Sequence, residues 1–285
     1  MGSTGFVLVD KPRGPTSHDV VDKVRRAFGT RRVGHAGTLD PPATGLLVVA
    51  VGPATRLLRY VQGLPKTYDV TAVLGATTST LDADGEVLDR RPITGVTPAR
   101  IREAAKTFLG EITQVPPAVS AVKIGGERAY KKAARGEAVE IEPRRVSVYF
   151  FDVPRTSPDS FEARIVCSAG TYIRSIVADL GELLGCGAHV RHLRRMAIGE
   201  LDVLNATKVD DLGPQALKPV EDVLAHMPRL DVDEQTETLA RNGRALPIPA
   251  AGDTTGETLV VGPSGVVGVF EPRDGMLRPV TVLPT

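Results

Sequence analysis

The chain has 285 residues, of which 42% are hydrophobic, and a formal net charge of +1. That length supports one large domain plus a small one with a real core, and no apolar stretch approaches the roughly 20 residues of a membrane-spanning helix. Two cysteines and five histidines, with no metal-ligand spacing among them, exclude a zinc- or disulfide-built scaffold; the N-terminus lacks the layout of a secretion signal, so a cytoplasmic protein is expected.

In chain order, Phe6 to Asp10 reads as a short strand. Ser17 reads as the cap of a helix to Phe28, with Val20, Val21, Val24, Ala27 and Phe28 on one face and Gly29 as its stop. The loop Gly34-His35-Ala36-Gly37-Thr38-Leu39-Asp40-Pro41-Pro42-Ala43-Thr44-Gly45 then runs into Leu46 to Val51, an apolar run expected as a buried strand. Its glycines admit backbone angles closed to other residues, and Pro41 biases Asp40 toward an extended conformation. A loop so punctuated and backed by a strand suits one carboxylate held at a fixed place. Asp before Pro is also a common turn cap, so Asp40 alone leaves both readings open.

Tyr68 to Leu74 alternates, with Tyr68, Val70, Ala72 and Leu74 sharing an apolar face. Thr97-Pro98 opens a helix expected to reach Leu109, with Gly110 as its end. Residues 117–145 are basic and irregular, with a short helix expected about Arg128 to Arg135; an insertion of that length and charge in a compact domain is commonly functional or mobile. Val146 to Val153 and Phe161 to Cys167 read as strands, and Thr171 to Leu184 as a helix. Arg174 falls in the first turn of that helix, where a cation opposes the helix dipole and calls for a compensating anion. His189 to Ile198 returns as a strand, and short helical pieces follow to Met227. Pro228 marks a domain boundary, with residues 1–228 expected to fold without the remainder. Beyond it, a helix over Asp233 to Asn242 and strands at Leu259 to Val261, Val266 to Phe270 and Val280 to Leu283 suggest a compact β-barrel module.

Charge is unevenly spread. Lys11, Arg13, Lys23, Arg25, Arg26, Arg31 and Arg32 crowd the start, Lys123, Arg128, Lys131, Lys132, Arg135, Arg144 and Arg145 the middle, and Arg191, Arg194 and Arg195 follow. Such patches on a near-neutral chain are compatible with RNA binding, though taken alone they read as solvated helix faces or strand edges.

The string GHAGTLDPPATGLL resembles the catalytic-loop motif of the TruB family of pseudouridine synthases. The resemblance extends along the chain. It takes in Val9-Asp10-Lys11-Pro12-Arg13-Gly14, Lys66-Thr67-Tyr68, Thr80-Leu81-Asp82-Ala83-Asp84-Gly85, Val115-Pro116-Pro117 through Lys123, Cys167-Ser168-Ala169-Gly170-Thr171-Tyr172-Ile173-Arg174, and Gly187-Ala188-His189-Val190 with Leu193-Arg194-Arg195. It is weakest from about Arg229 onward. It implies an α+β fold with a mixed, largely antiparallel central sheet and flanking helices, followed at 229–285 by a PUA-type RNA-binding module. It implies Asp40 as nucleophile, Tyr68 stacked on a flipped uracil, Arg174 paired with Asp40, His35 inserted into the RNA loop, and Lys11 and Leu193 lining the pocket. RNA contacts are implied for Lys123, Arg128, Lys131, Lys132, Arg144, Arg194 and Arg195. The activity implied is conversion of uridine 55 in the transfer-RNA T-loop to pseudouridine, by a monomer without cofactor, metal or obligate protein partner.

Two other classes remain. A non-catalytic RNA-binding or RNA-folding module would have no need of Asp40, Tyr68 and Arg174 together. A glycosidic hydrolase with a carboxylate nucleophile pairs two acids, and no second acid is identified beside Asp40 in the sequence.

Overall fold

A computed structural model describes residues 3–117, 123–124, 127–128, 135, 141–248 and 256–284. Its main body is built on an 11-stranded sheet. The principal strands run in the order Thr207–Lys208, Gly5–Lys11, Thr44–Val51, Ala188–Ile198, Lys66–Leu74, Ser160–Cys167, Arg144–Ser157 and Gly110–Gln114. Pairing is antiparallel except at two places. Gly5–Lys11 is parallel to Thr207–Lys208, and Ala188–Ile198 meets Thr44–Val51 in parallel at Arg194↔Thr44 and Arg195↔Gly45. The expected mixed, largely antiparallel sheet is therefore present.

Hydrophobic patterning explains which elements cover it. Thr44–Val51 has no polar side after Gly45 because both of its faces are buried. Leu47, Val49 and Val51 pack with Val20, Val21 and Val24 of the Ser17–Phe28 helix. Leu46, Val48 and Ala50 pack the other way, with Phe6, Leu8 and Leu57. Lys66–Leu74 alternates buried and half-buried residues, as its sequence predicts. Its inner face meets the helices Pro98–Lys106 and Ile173–Leu184 through Val70, Ala72, Ile101, Ile176 and Leu180. Gly181 lets the second helix lie against the next strand, since a Cβ there would run into the backbone of Ala188.

Residues from Arg229 form a separate five-stranded sheet in the order Arg229–Asp231, Thr258–Gly262, Gly265–Arg273, Met276–Val282, Leu246–Pro247. The helix Glu234–Arg241 packs on it and is capped by Asp233, which accepts from Thr236 N–H at 2.8 Å. This curled sheet fits a PUA-like module. One of its faces has its own core of Ala240, Val260, Val267, Phe270 and Leu277. Leu259, Val261, Val269 and Leu283, in contrast, belong to one buried cluster with Phe6, Leu46 and Val223 of the main body.

Several local expectations are corrected. The helix cap is Thr16, which accepts from Asp19 N–H while Asp19 reaches back to Thr16 N–H; Ser17 is buried and its hydroxyl is used elsewhere. The Pro98 helix ends at Lys106, three residues short of Leu109, where the chain passes into turns. The Arg174 helix begins at Ile173. Arg128 is not helical: Glu127–Arg128 pairs with Lys123–Ile124 as a two-stranded hairpin. The rest of the helix expected there, with Lys131 and Lys132, lies outside the described residues apart from Arg135, which sits in a turn. Among the described residues no helix is long and apolar enough to cross a membrane.

Candidate active site

The Asp40 loop is clamped from three directions. From the Ser17–Phe28 helix, the Ser17 hydroxyl donates to Leu39 C=O at 3.0 Å and accepts from Leu39 N–H at 2.9 Å. From the strand Gly5–Lys11, the Lys11 ammonium donates to Pro12, Pro41 and Ala43 carbonyls at 3.0, 3.2 and 2.7 Å. From the strand Ala188–Ile198, the Arg195 guanidinium donates to Leu46 C=O at 2.7 Å and Gly37 C=O at 3.0 Å. Gly45 makes the last clamp possible, because its φ of +100° and the closeness of the Arg195 backbone leave no room for a Cβ. Backbone acceptors that a buried loop would leave unpaired are thereby satisfied, and the loop holds one shape.

Asp40 is thus aimed at the first turn of the Ile173–Leu184 helix. Arg174 Nη2 lies 2.8 Å from Asp40 Oδ2. Arg174 Nη1 donates to Thr80 C=O at 2.6 Å and lies 3.5 Å from Asp82 Oδ2. The Arg174 side chain is 4% exposed and the Asp40 side chain 35%, so the cation is interior while its carboxylate partner stays reachable. A buried guanidinium at a helix N-terminus is unfavourable alone; two carboxylates and a carbonyl offset that.

A cleft of about 260 Å³ opens over this pair. Asp40, Arg174, Tyr68, Leu193, Arg144 and Tyr172 all line it. Burial pushes the Tyr68 hydroxyl up, against the opposing pull of the nearby Arg195 cation. Lys66, also lining the cleft, is pushed down to about 8 by burial and by Arg195. Lys11 falls to about 8 for the first of these reasons, with Asp40 pulling the other way. Arg144 stacks over Tyr172, its guanidinium carbon 4.6 Å from the ring centroid. The site offers one reachable carboxylate, an aromatic wall and fixed cations: it can hold a flat base and present an anionic nucleophile to it. Among the described residues no group of His, Cys, Asp and Glu is arranged to hold a metal ion.

Of the residues singled out in the sequence, Asp40, Tyr68, Arg174, Leu193 and Arg144 converge. Lys11 does not line the cleft; it is a fully buried strut beneath the loop. Arg195 also lines the cleft, but it is 1% exposed and its donors are directed at the Asp40 loop. Arg194 is half-exposed and holds Asp10 with two hydrogen bonds of 2.9 and 2.8 Å. His35 stands outside the cleft lining, in the short Val33–His35 strand, edge-on to His18 with ring centroids 5.8 Å apart. The side chains of Lys123 and Arg128 lie outside the described residues. Sequence reading missed Asp82, a second acid that meets Arg174 and not the cleft. Its signal was faint: Asp in a Thr/Asp/Gly turn ordinarily caps the turn, and Asp82 does accept from Asp84 N–H at 3.2 Å as well.

Residues 25–173 match the model of the TruB family pseudouridylate synthase N-terminal domain, and residues 174–227 that of the tRNA pseudouridylate synthase B C-terminal domain. The chain belongs to the TruB family. The TruB-family protein named tRNA pseudouridine synthase B of Thermobifida fusca (strain YX) is 45% identical over 291 residues, covering 98% of each chain. The protein of the same name from Mycobacterium tuberculosis (strain CDC 1551 / Oshkosh) is 44% identical over 250 residues, covering 85% of this chain and 84% of its own. Among solved structures, an H/ACA RNP bound to a substrate RNA containing 2′-deoxyuridine aligns with a TM-score of 0.74 at 22% identity, over 99% of this chain and 85% of that one. A Cbf5-Nop10-Gar1 complex aligns at 0.73 and 25% identity, over 99% and 84%. These two likenesses show the fold over nearly the whole chain.

Proposed function

We propose that this chain isomerises uridine 55 in the T-loop of transfer RNA to pseudouridine, as a cytoplasmic enzyme acting without cofactor or obligate protein partner. The observation that carries the reading is the Asp40–Arg174 ion pair at the mouth of a base-sized cleft walled by Tyr68. The names of the relatives point to transfer RNA. In the reaction the N1–C1′ bond breaks, the uracil turns, and C5 bonds to C1′. C5 gives up its proton and N1 gains one, so product and substrate have the same atoms and no redox partner is needed. A stacked loop base reaches such a cleft only by flipping out, and Tyr68 offers it a replacement stacking surface. Asp40 serves as the nucleophile. Arg174 fixes its carboxylate in place, and the clamps on Leu39 and Gly37 keep the loop from drifting. The module at 229–285 and the basic insertion at 117–145 extend the RNA contact beyond the T-loop. The test is incubation with an unmodified transfer-RNA transcript in the presence of a chelator and without nucleotide, followed by mapping of pseudouridine. Modification at position 55 by the wild type, and none by Asp40→Asn at RNA affinity within a few-fold, is the expected result. Turnover by a carefully purified Asp40→Asn protein would remove Asp40 from the chemistry.

A further inference from the structure

The helix that carries Arg174 starts without a side-chain cap of its own: Tyr172 is at the N-cap position and contributes no capping hydrogen bond. Its missing support comes from another element. The side-chain amide of Gln114, at the end of the strand Gly110–Gln114, donates to Tyr172 C=O at 2.9 Å and accepts from Tyr172 N–H at 2.8 Å. Gln114 is 1% exposed, and both ends of its amide are used. The next residue along the chain adds a further tie, since the Ser175 hydroxyl donates to Val115 C=O at 2.9 Å. Arg144, the cross-strand neighbour of Gln114, stacks on the Tyr172 ring. The backbone of Tyr172 is therefore fixed two residues before Arg174.

We propose that Gln114 is a positioning residue for Arg174, holding the first turn of its helix in the register that sets the guanidinium against Asp40. The proposal rests on the isomerase reading above. Gln114 does not itself line the cleft; it reaches the site through the backbone of Tyr172, which does. Its geometry is that of a strand pairing made by a side chain, the primary amide offering one donor and one acceptor side by side. Alanine removes both bonds. Glutamate keeps the volume and the acceptor, but when ionised has no donor for Tyr172 C=O. A misplacement of about 1 Å at a reacting group can cost on the order of a hundredfold in rate, so a slackened first turn is expected to cost tenfold or more.

The test compares wild type, Gln114→Ala and Gln114→Glu on an unmodified transfer-RNA transcript. The single-turnover rate at saturating enzyme is read separately from the RNA dissociation constant, and both variants are repeated on an Arg174→Lys background. The expected result is a rate at least tenfold lower for both variants, with affinity within threefold, and little further loss once Arg174 is already replaced. A Gln114→Glu rate within twofold of wild type overturns the proposal. So does a loss confined to affinity, or the same fold-loss in the Arg174→Lys background. If the wild type forms no pseudouridine, it is the isomerase reading that falls.

Discussion

Asp82 Oδ2 lies 3.5 Å from Arg174 Nη1, on the opposite branch of the guanidinium from the Nη2 that meets Asp40 at 2.8 Å. Asp82 is itself buried, and accepts from the Thr80 hydroxyl and Asp84 N–H. One interior cation is thus divided between a carboxylate that faces the cleft and one that does not. Asp82→Asn keeps the shape of the turn and removes that second charge. Arg174 then keeps Asp40 and Thr80 C=O but loses the Asp82 carboxylate from its Nη1 branch, and the expected outcome is a single-turnover rate lower by tenfold or more with RNA affinity nearly unchanged. Wild-type turnover by Asp82→Asn would show that Thr80 C=O and Asp40 suffice to hold the guanidinium.

Arg174→Lys is expected to cost nearly as much activity as Arg174→Ala. Three acceptors on different sides of the side chain are reached by a planar fork and not by a single ammonium. Both variants keep the fold, because Ile173, Ile176, Val177 and Leu180 hold the helix. Single-turnover rates at saturating enzyme decide it; a lysine variant close to wild type would mean that charge alone is required.

Truncation after Pro228 is expected to lower the stability of the remaining body. Leu259, Val261, Val269 and Leu283 leave a cluster that also contains Phe6, Leu46 and Val223. Exposing the body's side of that cluster, at about 1.5–3 kcal/mol for each large apolar side chain fully buried, costs several kcal/mol, or roughly 10–20 °C in Tm at about 2–4 °C per kcal/mol. Thermal unfolding of the two forms is the measurement. An unchanged Tm would mean that the main body closes over the exposed patch by itself.

Replacing Lys123, Arg128, Lys131 and Lys132 by alanine is expected to weaken RNA binding and flatten its salt dependence. Every phosphate that loses its cationic partner lowers the slope of log affinity against log salt by about one. An unchanged slope would place the RNA backbone elsewhere.

Lys66 sets a pH dependence of stability. Its folded value near 8 lies below the ordinary 10.5, because burial and Arg195 disfavour its charge. Below pH 8 the folded state carries a buried ammonium at a cost. As pH rises from 8 toward 10.5 the folded protein releases that proton before the unfolded chain does, so the contribution of Lys66 to stability grows in this window. The unfolding free energy of wild type minus that of Lys66→Met is expected to move in favour of wild type by up to about 3 kcal/mol between pH 7 and pH 10.5. A pH-independent difference would show that Lys66 keeps its ordinary affinity for the proton.

Much of the site is local in sequence. The Gly/Pro-punctuated loop around Asp40, the alternation that puts Tyr68 on the buried face, and the placing of Arg174 in a first helical turn follow from residue chemistry and period within a dozen positions, and the structure has each of them. The need of Arg174 for an anion was legible too, since a cation at that end of a helix is electrostatically misplaced. What only the tertiary structure decided is which distant groups answer such needs. Basic residues in one short run look alike in sequence, yet Arg194 is half-exposed and paired with Asp10 while Arg195 is interior and holds Gly37 and Leu46. Their alternation along a strand allots them to opposite faces, but the partner on each face comes from chain more than 140 positions away. Asp82 reaches Arg174 across 92 positions, and Gln114 reaches Tyr172 across 58, through pairings set by sheet order. Local propensity holds no trace of such pairings. They are set by where the long strands bring their ends together, and so by the packing of the whole chain.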